Sequence, residues 1–281
     1  MNSTPTLLGQ TVIYPSQYSP ALLEPIKRAS ARAELTGLNA SVLNLPFVGW
    51  DLWRAYEVSW LNSKGLPQVA IVQIQIPFDS PSLVESKSLK LYLNSLNQTV
   101  FKAPEDVLAC LHQDLSQVVG SEIHIDLKTA EHFDSEHILE PNNSLCLDTQ
   151  DIEVDCYTPN PDFLNTDASK KVITESVFSR LLKSNCPVTG QPDWASVHID
   201  YKGTPIDHAG LLRYIVSLRN HEGFHEHCVE QLFCEIWHRC KPQTLSVYAR
   251  YTRRGGIDIN PWRATPGHQP PAYLPARSAQ Q

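Results

Sequence analysis

Apolar residues recur along the chain with two periods, and the switching between them predicts an order of elements. Residues 1–50 are punctuated by Pro15, Pro20, Pro25 and Pro46 and read as an irregular strap, with one short helix from Ala21 to Glu34. Gln68 to Pro77 is dense in Val and Ile, the composition of a buried strand. Helical spacing follows at Leu89, Tyr92, Leu93 and Leu96, and again after Pro104 at Val107, Leu108, Leu111, Leu115 and Val118. Proline suits a first helical turn, whose amide has no partner to lose. Glu122 to Leu127 alternates apolar Ile123, Ile125 and Leu127 with polar residues, as a half-buried strand does.

The second half runs through the same order. Trp194 to Tyr201 alternates; Leu211, Leu212, Ile215, Val216 and Leu218 suit a helix; Val229, Leu232, Phe233, Ile236 and Trp237 suit another; Leu245, Val247, Ala249 and Tyr251 alternate again. One offset of 122 residues carries Leu89 to Leu211, Tyr92 to Tyr214, Ser95 to Ser217, Leu96 to Leu218, Val107 to Val229 and Ile123 to Leu245. A single offset across three elements predicts an internal duplication of a strand–helix–helix–strand unit. The expected division is a first module over 1–135, an acidic Pro/Asn-rich connector over 136–165, a second module over 166–264 and a loose tail over 265–281.

Composition narrows the partners. With 42% apolar residues in 281, the chain has enough to build a core. Its net charge of −7 argues against a nucleic acid or a membrane surface as main partner. Nothing approaches a membrane span or a secretory signal. Seven cysteines, an odd number that forms no dense framework in a chain of this length, predict a reduced, cytoplasmic protein.

Four clusters could carry chemistry. Cys186-Pro187-Val188-Thr189-Gly190-Gln191-Pro192-Asp193-Trp194 is a constrained loop entering a strand. It can hold a thiol and a carboxylate in fixed orientation for addition to an electrophilic carbon, or be an ordinary turn. His221-Glu222-Gly223-Phe224-His225-Glu226-His227-Cys228 packs three His, two Glu and one Cys into eight residues. It admits a metal site with His221 and His225 at i, i+4, a solvated helix entry, or a substrate site with Glu226 as bidentate acceptor. Glu85-Ser86-Lys87-Ser88-Leu89-Lys90-Leu91-Tyr92 opens a helix that Ser86 or Ser88 could cap; its amides with Lys87 and Lys90 would attract a phosphate. Arg253-Arg254-Gly255-Gly256-Ile257-Asp258-Ile259-Asn260-Pro261-Trp262-Arg263 would let an anion approach the backbone closely, or would be a charged hairpin turn. No Gly-x-Gly-x-x-Gly follows a strand, so a Rossmann cofactor site is not supported.

Taken together, these segments, with Tyr14-Pro15-Ser16-Gln17-Tyr18 and Ser59-Trp60-Leu61-Asn62-Ser63-Lys64-Gly65, resemble the NADPH-dependent 7-cyano-7-deazaguanine reductases, the nitrile reductases of queuosine biosynthesis. The likeness runs from about Leu8 to Arg263, with one departure at Lys27, where a second proline would be expected. The resemblance implies the long form of that family, an α+β fold of two tandem tunnelling-fold (T-fold) modules, antiparallel sheets with helices packed on one face. It implies a homodimer and a small deazaguanine substrate, with no direct nucleic acid or membrane partner. It implies NADPH as a dissociable cofactor used twice per turnover, and no metal. By the same resemblance Cys186, Asp193 and His225 are catalytic. Glu226, Phe224, Glu85 and Ser86 bind substrate, and Lys87, Ser88, Lys90, Arg254 and Gly255 hold the cofactor. Two alternatives share the fold: a Zn-dependent cyclohydrolase, and a non-catalytic purine- or pterin-binding protein.

Overall fold

A computed structural model describes residues 15, 17–35, 45–140, 144–270 and 276–281. The described elements are β1 (Pro25–Lys27), α1 (Arg28–Arg32), β2 (Val48–Leu61), β3 (Pro67–Pro77), β4 (Ser82–Val84), α2 (Ser86–Ser95), α3 (Pro104–Val119), β5 (His124–Thr129), β6 (Leu145–Cys146), β7 (Ile173–Asn185), β8 (Pro192–Gly203), α4 (His208–Ser217), α5 (His225–Cys240), β9 (Thr244–Tyr251) and β10 (Ile257–Ala264). Eight strands form one sheet in the order β5-β3-β2-β10-β9-β8-β7-β6, antiparallel except for the short β6–β7 pairing; β1 and β4 make a separate ribbon.

Alternation along each strand assigns its two faces. Trp53, Ala55, Val72, Ile74, Val197, Ile199, Val247 and Ala249 face helices α2–α5 and form two apolar clusters, one per half. The opposite face is polar yet buried, with Arg54, His198, Arg250, Asp258 and Asn260 all at 2% exposure or less. Buried polar groups need partners, and two segments supply them. Leu139 O accepts from Arg250 at 2.7 Å and Ala276 O from Arg54 at 3.3 Å. The Gln281 side-chain amide donates to Tyr251 O at 3.1 Å and Asn260 Oδ1 at 2.6 Å. The expected loose tail is therefore corrected: residues 276–281 are anchored on this face. Tyr14 and Ser16 of the first motif, residues 141–143 of the connector and residues 271–275 of the tail lie outside those described.

The two halves repeat in detail. Glu85 caps α2 by accepting from the Lys87 and Ser88 amides, and Asp207, 122 residues on, caps α4 through the Ala209 and Gly210 amides. Ser95 and Ser217 both donate to the carbonyl three residues back, that of Tyr92 and of Tyr214. The offset drifts elsewhere. It is 121 between α3 and α5, so Val107 corresponds to Cys228 rather than Val229. It is 124 at the paired bulges, between Ala55 and Val58 in β2 and between Ser179 and Leu182 in β7.

Three departures from the sequence reading each have a physical reason. The helix from Ala21 to Glu34 is broken into a 3₁₀ turn (Pro20–Leu22), β1 and α1, because Pro25 has no amide to donate and clashes with a continuing turn. Strands β2 and β7 escape the pattern because each carries a bulge that resets the alternation. Strand β10 reads as a turn because Asp258, Asn260 and Arg263 interrupt its apolar residues, although all eight positions are buried.

Where β2 pairs with β10 at Gly49, the two strands are too close for a side chain. A Cβ on Gly49, whose φ is +150°, would lie 2.0 Å from Trp262 O. Gly49→Ala should cost about 3 kcal/mol or more, the upper range for overpacking, read as a lowered urea midpoint. An unchanged midpoint would mean that the two strands separate easily.

Candidate active site

The backbone brings two of the four clusters together. Asn185, at the end of β7, donates to His221 O at 2.8 Å and accepts from the Gly223 amide at 3.1 Å. This stitch sets the start of α5 beside the next residue, Cys186. The loop that follows is closed by Cys186 N to Gln191 O and Gly190 N to Cys186 O, both 2.9 Å. Gly190 takes the left-handed conformation (φ +66°) that the turn requires.

Cys186, Asp193, Phe224, His225, Glu226, Ser86 and Arg254 consequently line one cleft, with Trp53 and Ile259 as its apolar floor. The space between these side chains is about 20 Å³, room for little more than a water, so a purine-sized ligand must part the side chains at its mouth. Burial pushes the Cys186 thiol up, but hydrogen bonds from the Thr189 hydroxyl, the Val188 and Thr189 amides and Arg254 outweigh it and bring the thiol below its ordinary pKa. That favours the thiolate, the nucleophilic form. Asp193 is buried between an imidazole and a guanidinium: His225 Nε2 lies 3.4 Å from one carboxylate oxygen and Arg254 Nη1 3.4 Å from the other. The His225 ring also packs 4.0 Å from the Tyr251 ring, centroid to centroid, and Arg254 is tied to Gln191 Oε1 at 3.0 Å.

Glu226 occupies the first turn of α5, is 3% exposed, and has no hydrogen-bond partner on Oε1. Burial and the neighbouring Asp51 carboxylate push it up to about 8, against Arg28 and Arg263, which pull it down. A desolvated acceptor facing a cleft is a recognition group awaiting a donor.

A second cleft of about 320 Å³ adjoins the first, lined by Glu57, Lys90, Asn94, Asn97, Gly255 and Gly256. Burial and the adjacent Arg254 lower the Lys90 ammonium pKa, partly offset by Glu85, Asp193 and Cys186. Gly255 makes room for this lysine, since a Cβ there would lie 3.1 Å from Lys90 Cε.

The helix-start expectation for α2 is corrected. Neither Ser86 nor Ser88 caps it; the Glu85 carboxylate does, at 2.9 Å from the Lys87 amide and 2.7 Å from that of Ser88. Those amides are thus already bonded to an anion and do not offer a phosphate site. Ser88 is buried, donating to Glu85 O and accepting from the Glu24 amide, which removes it from the cofactor set. Lys87 is exposed. The i, i+4 histidine pair does not form either. His221 precedes the helix and stacks on His227, while His225 turns to Asp193. Among the described residues, no group of three or more His, Cys, Asp or Glu is arranged to hold a metal ion. Sequence reading missed Thr189, which acts on Cys186 within the same loop, and Asp51 and Arg28, whose roles arise from contacts between separate segments.

A thiol below its usual pKa, an adjacent buried carboxylate with imidazole and guanidinium on either side, and a free buried acceptor define a thiol-nucleophile site in an α+β protein. The family described as nitrile reductase, 7-cyano-7-deazaguanine-reductase N-term, matches residues 14–127, and the one described as QueF-like protein matches residues 192–270. Curated relatives named NADPH-dependent 7-cyano-7-deazaguanine reductase include that of Bordetella avium, 52% identical over 98% of this chain and 97% of its own. Those of Stenotrophomonas maltophilia, at 52% identity over 94% of each chain, and Burkholderia thailandensis, at 49% over the full length of both, agree. A crystal structure of the archaeosine synthase QueF-Like in the apo form covers 36% of this chain and 98% of its own at 16% identity and a TM-score of 0.31, too distant to weigh. The chain belongs to the NADPH-dependent 7-cyano-7-deazaguanine reductase family.

Proposed function

We propose that this chain reduces the nitrile of 7-cyano-7-deazaguanine to the primary amine, 7-aminomethyl-7-deazaguanine, in queuosine biosynthesis, by way of a covalent thioimide on Cys186. The observation that carries this reading is the shared cleft of Cys186, Asp193 and Glu226, in a chain of this family. Glu226 accepts from the N–H and amino edge of the guanine-like ring and thereby aims the nitrile carbon at the thiolate. Phe224 and Ser86 line the same walls. Glu85 stands behind Ser86 as the cap of α2. The sulfur adds to the triple bond while Asp193 delivers a proton to the nitrogen, which converts nitrile to thioimide without loss of an atom. After the carbon is reduced once, the sulfur leaves with its electron pair and the thiol of Cys186 is restored. His225, held by Asp193, supplies the further proton that the growing amine requires.

NADPH, when bound, supplies the hydrides. The second cleft fits such a group: Lys90 lines it, Arg254 of the first cleft is near enough to act on Lys90 through its charge, and Gly255 and Gly256 let a ligand approach the backbone. Lys87, Lys90, Arg254 and Gly255 would hold it. Mixing the protein with the nitrile and NADPH should consume two NADPH per amine formed, as mass spectrometry of the product would verify. No nitrile-dependent NADPH oxidation would overturn the reading.

The two halves are taken as tandem T-fold modules, supported by the shared caps and paired bulges. A homodimer is proposed with them, β5 being an edge strand of the sheet among the described residues; the oligomeric state is readable by sedimentation. Seven free thiols support a reducing, cytoplasmic setting. Among the described residues no helix is long and apolar enough to cross a membrane.

A further inference from the structure

Behind Glu226, and outside the cleft, lies a cluster of five buried ions that the proposed chemistry does not use. Asp51 of β2 pairs with Arg28 of α1 at 2.6 Å and with Arg263 of β10 at 2.8 Å. Glu230 of α5 pairs with Arg32 of α1 at 2.6 Å and with the same Arg263 at 2.8 Å; Arg28 lies 3.9 Å from it. All five are at most 4% exposed. Three guanidiniums against two carboxylates leave one positive charge in excess. Burying an unbalanced charge is costly, and the buried acid that would cancel it is Glu226, one turn before Glu230 on α5.

We propose that this cluster is a positioning device for substrate capture: Asp51 and Glu230 occupy the guanidiniums of Arg28 and Arg263 so that Glu226 keeps an oxygen free for the ligand, while the charge of those arginines favours its carboxylate form. The inference rests on Glu226 as the substrate anchor. Its geometry has two parts. First, Arg28 and Arg263 act on Glu226 through their charge, while Arg28 donates to Asp51, Ser80 and Pro77 O, and Arg263 to Glu230 and Asp51. Second, Glu226 Oε1 therefore stays without a protein partner, inside the cleft. An arginine free to close on Glu226 would satisfy that oxygen and compete with the substrate's donors. The charged and titratable groups around Glu226 are Arg28 and Arg32 from α1, Asp51 from β2, His225 and Glu230 from α5, Arg263 from β10, and Asp193, Cys186 and Arg254 across the cleft. Asp51 raises its proton affinity and Arg28 and Arg263 lower it, so the two kinds of neighbour are separable by experiment.

The test measures 7-cyano-7-deazaguanine binding by calorimetry across pH, in the Cys186→Ala background so that binding stays reversible. Affinity should rise with pH as Glu226 ionises. Arg28→Gln should move the midpoint of that rise upward; a one-unit move would lower affinity near neutral pH about tenfold. Arg28→Lys should restore most of the loss. Asp51→Asn should move the midpoint in the opposite direction. Opposite shifts are not what a merely structural role produces, since both substitutions break the same ion pair. Shifts of one sign, or a midpoint that no variant moves, would overturn the proposal. If Arg28→Gln does not fold, Arg28→Lys and Asp51→Asn decide by the same criterion. Glu226→Gln separates the two layers: wild-type affinity in that variant refutes the anchor, whereas lost affinity with unmoved midpoints in the others refutes only the cluster.

Discussion

Cys186→Ala is expected to abolish nitrile reduction, a fall of about three orders of magnitude or more, and to remove every covalent adduct. Addition of a thiol to a nitrile conserves all atoms. Wild-type protein mixed with 7-cyano-7-deazaguanine and no NADPH should therefore gain the mass of one substrate in intact-protein mass spectrometry, and the alanine variant should gain nothing. The effect should be this large because no other thiol can replace the first. Cys228, on the neighbouring helix, is fully buried, and burial pushes its thiol up to about 11, where almost no thiolate exists at neutral pH. Cys186 differs from it in being less desolvated, so that hydrogen bonds from Thr189, Val188 and Arg254 outweigh burial, whereas those from Tyr251 and Ser184 do not at Cys228. Turnover retained in the alanine variant, or an adduct mapped to another residue, would remove the thiol from the chemistry.

The second large effect is at Glu226. Glu226→Gln replaces one acceptor with an NH₂ that faces the ring's own donors. Hydrogen bonds to a charged group are worth about 1.5–3 kcal/mol each, so affinity should fall roughly 10- to 100-fold in calorimetry, with little change in adduct chemistry once substrate saturates. The same variant carries a stability signature. Glu226 is pushed up to about 8 in the folded chain, above its unfolded value near 4.5. Between those limits the folded state holds more proton than the unfolded one, so the stability linked to this group is present below the lower limit and is lost as pH rises through the upper one. Glutamine cannot titrate. Melting temperatures of the variant should decline less from acidic to mildly alkaline pH than those of the wild type. A parallel pH dependence in both proteins would show that Glu226 does not carry the shifted proton.

Much of this was legible from residue order alone. The regular helices were, because α2 to α5 each bury one apolar stripe, and so were β3, β5, β8 and β9, where apolar residues keep a clean period. Strand β10 was not, since its polar side chains are buried against partners from elsewhere: Arg263 against Asp51 and Glu230, Asn260 against Gln281. The site was partly legible. Cys186 and Asp193 sit in one loop, and His225 with Glu226 in one short motif. Their convergence was not readable, because it depends on the pairing of Asn185 with His221 and Gly223. Nor was the capping role of Glu85, which looks in the sequence like one more charged residue before Ser86.

The order of elements, the doubling of the unit and the chemical types at the site follow from local properties: side-chain periodicity, proline and glycine geometry, and the nucleophilicity of a thiol. Tertiary structure alone decided which amides were already capped, that residues 276–281 anchor to the polar face, and that three arginines, two acids and Glu226 meet behind the cleft. The reason is that charge balance and hydrogen-bond satisfaction in a buried setting are settled between residues as much as 235 positions apart, as with Arg28 and Arg263 on either side of Asp51, whereas periodicity reports only on neighbours.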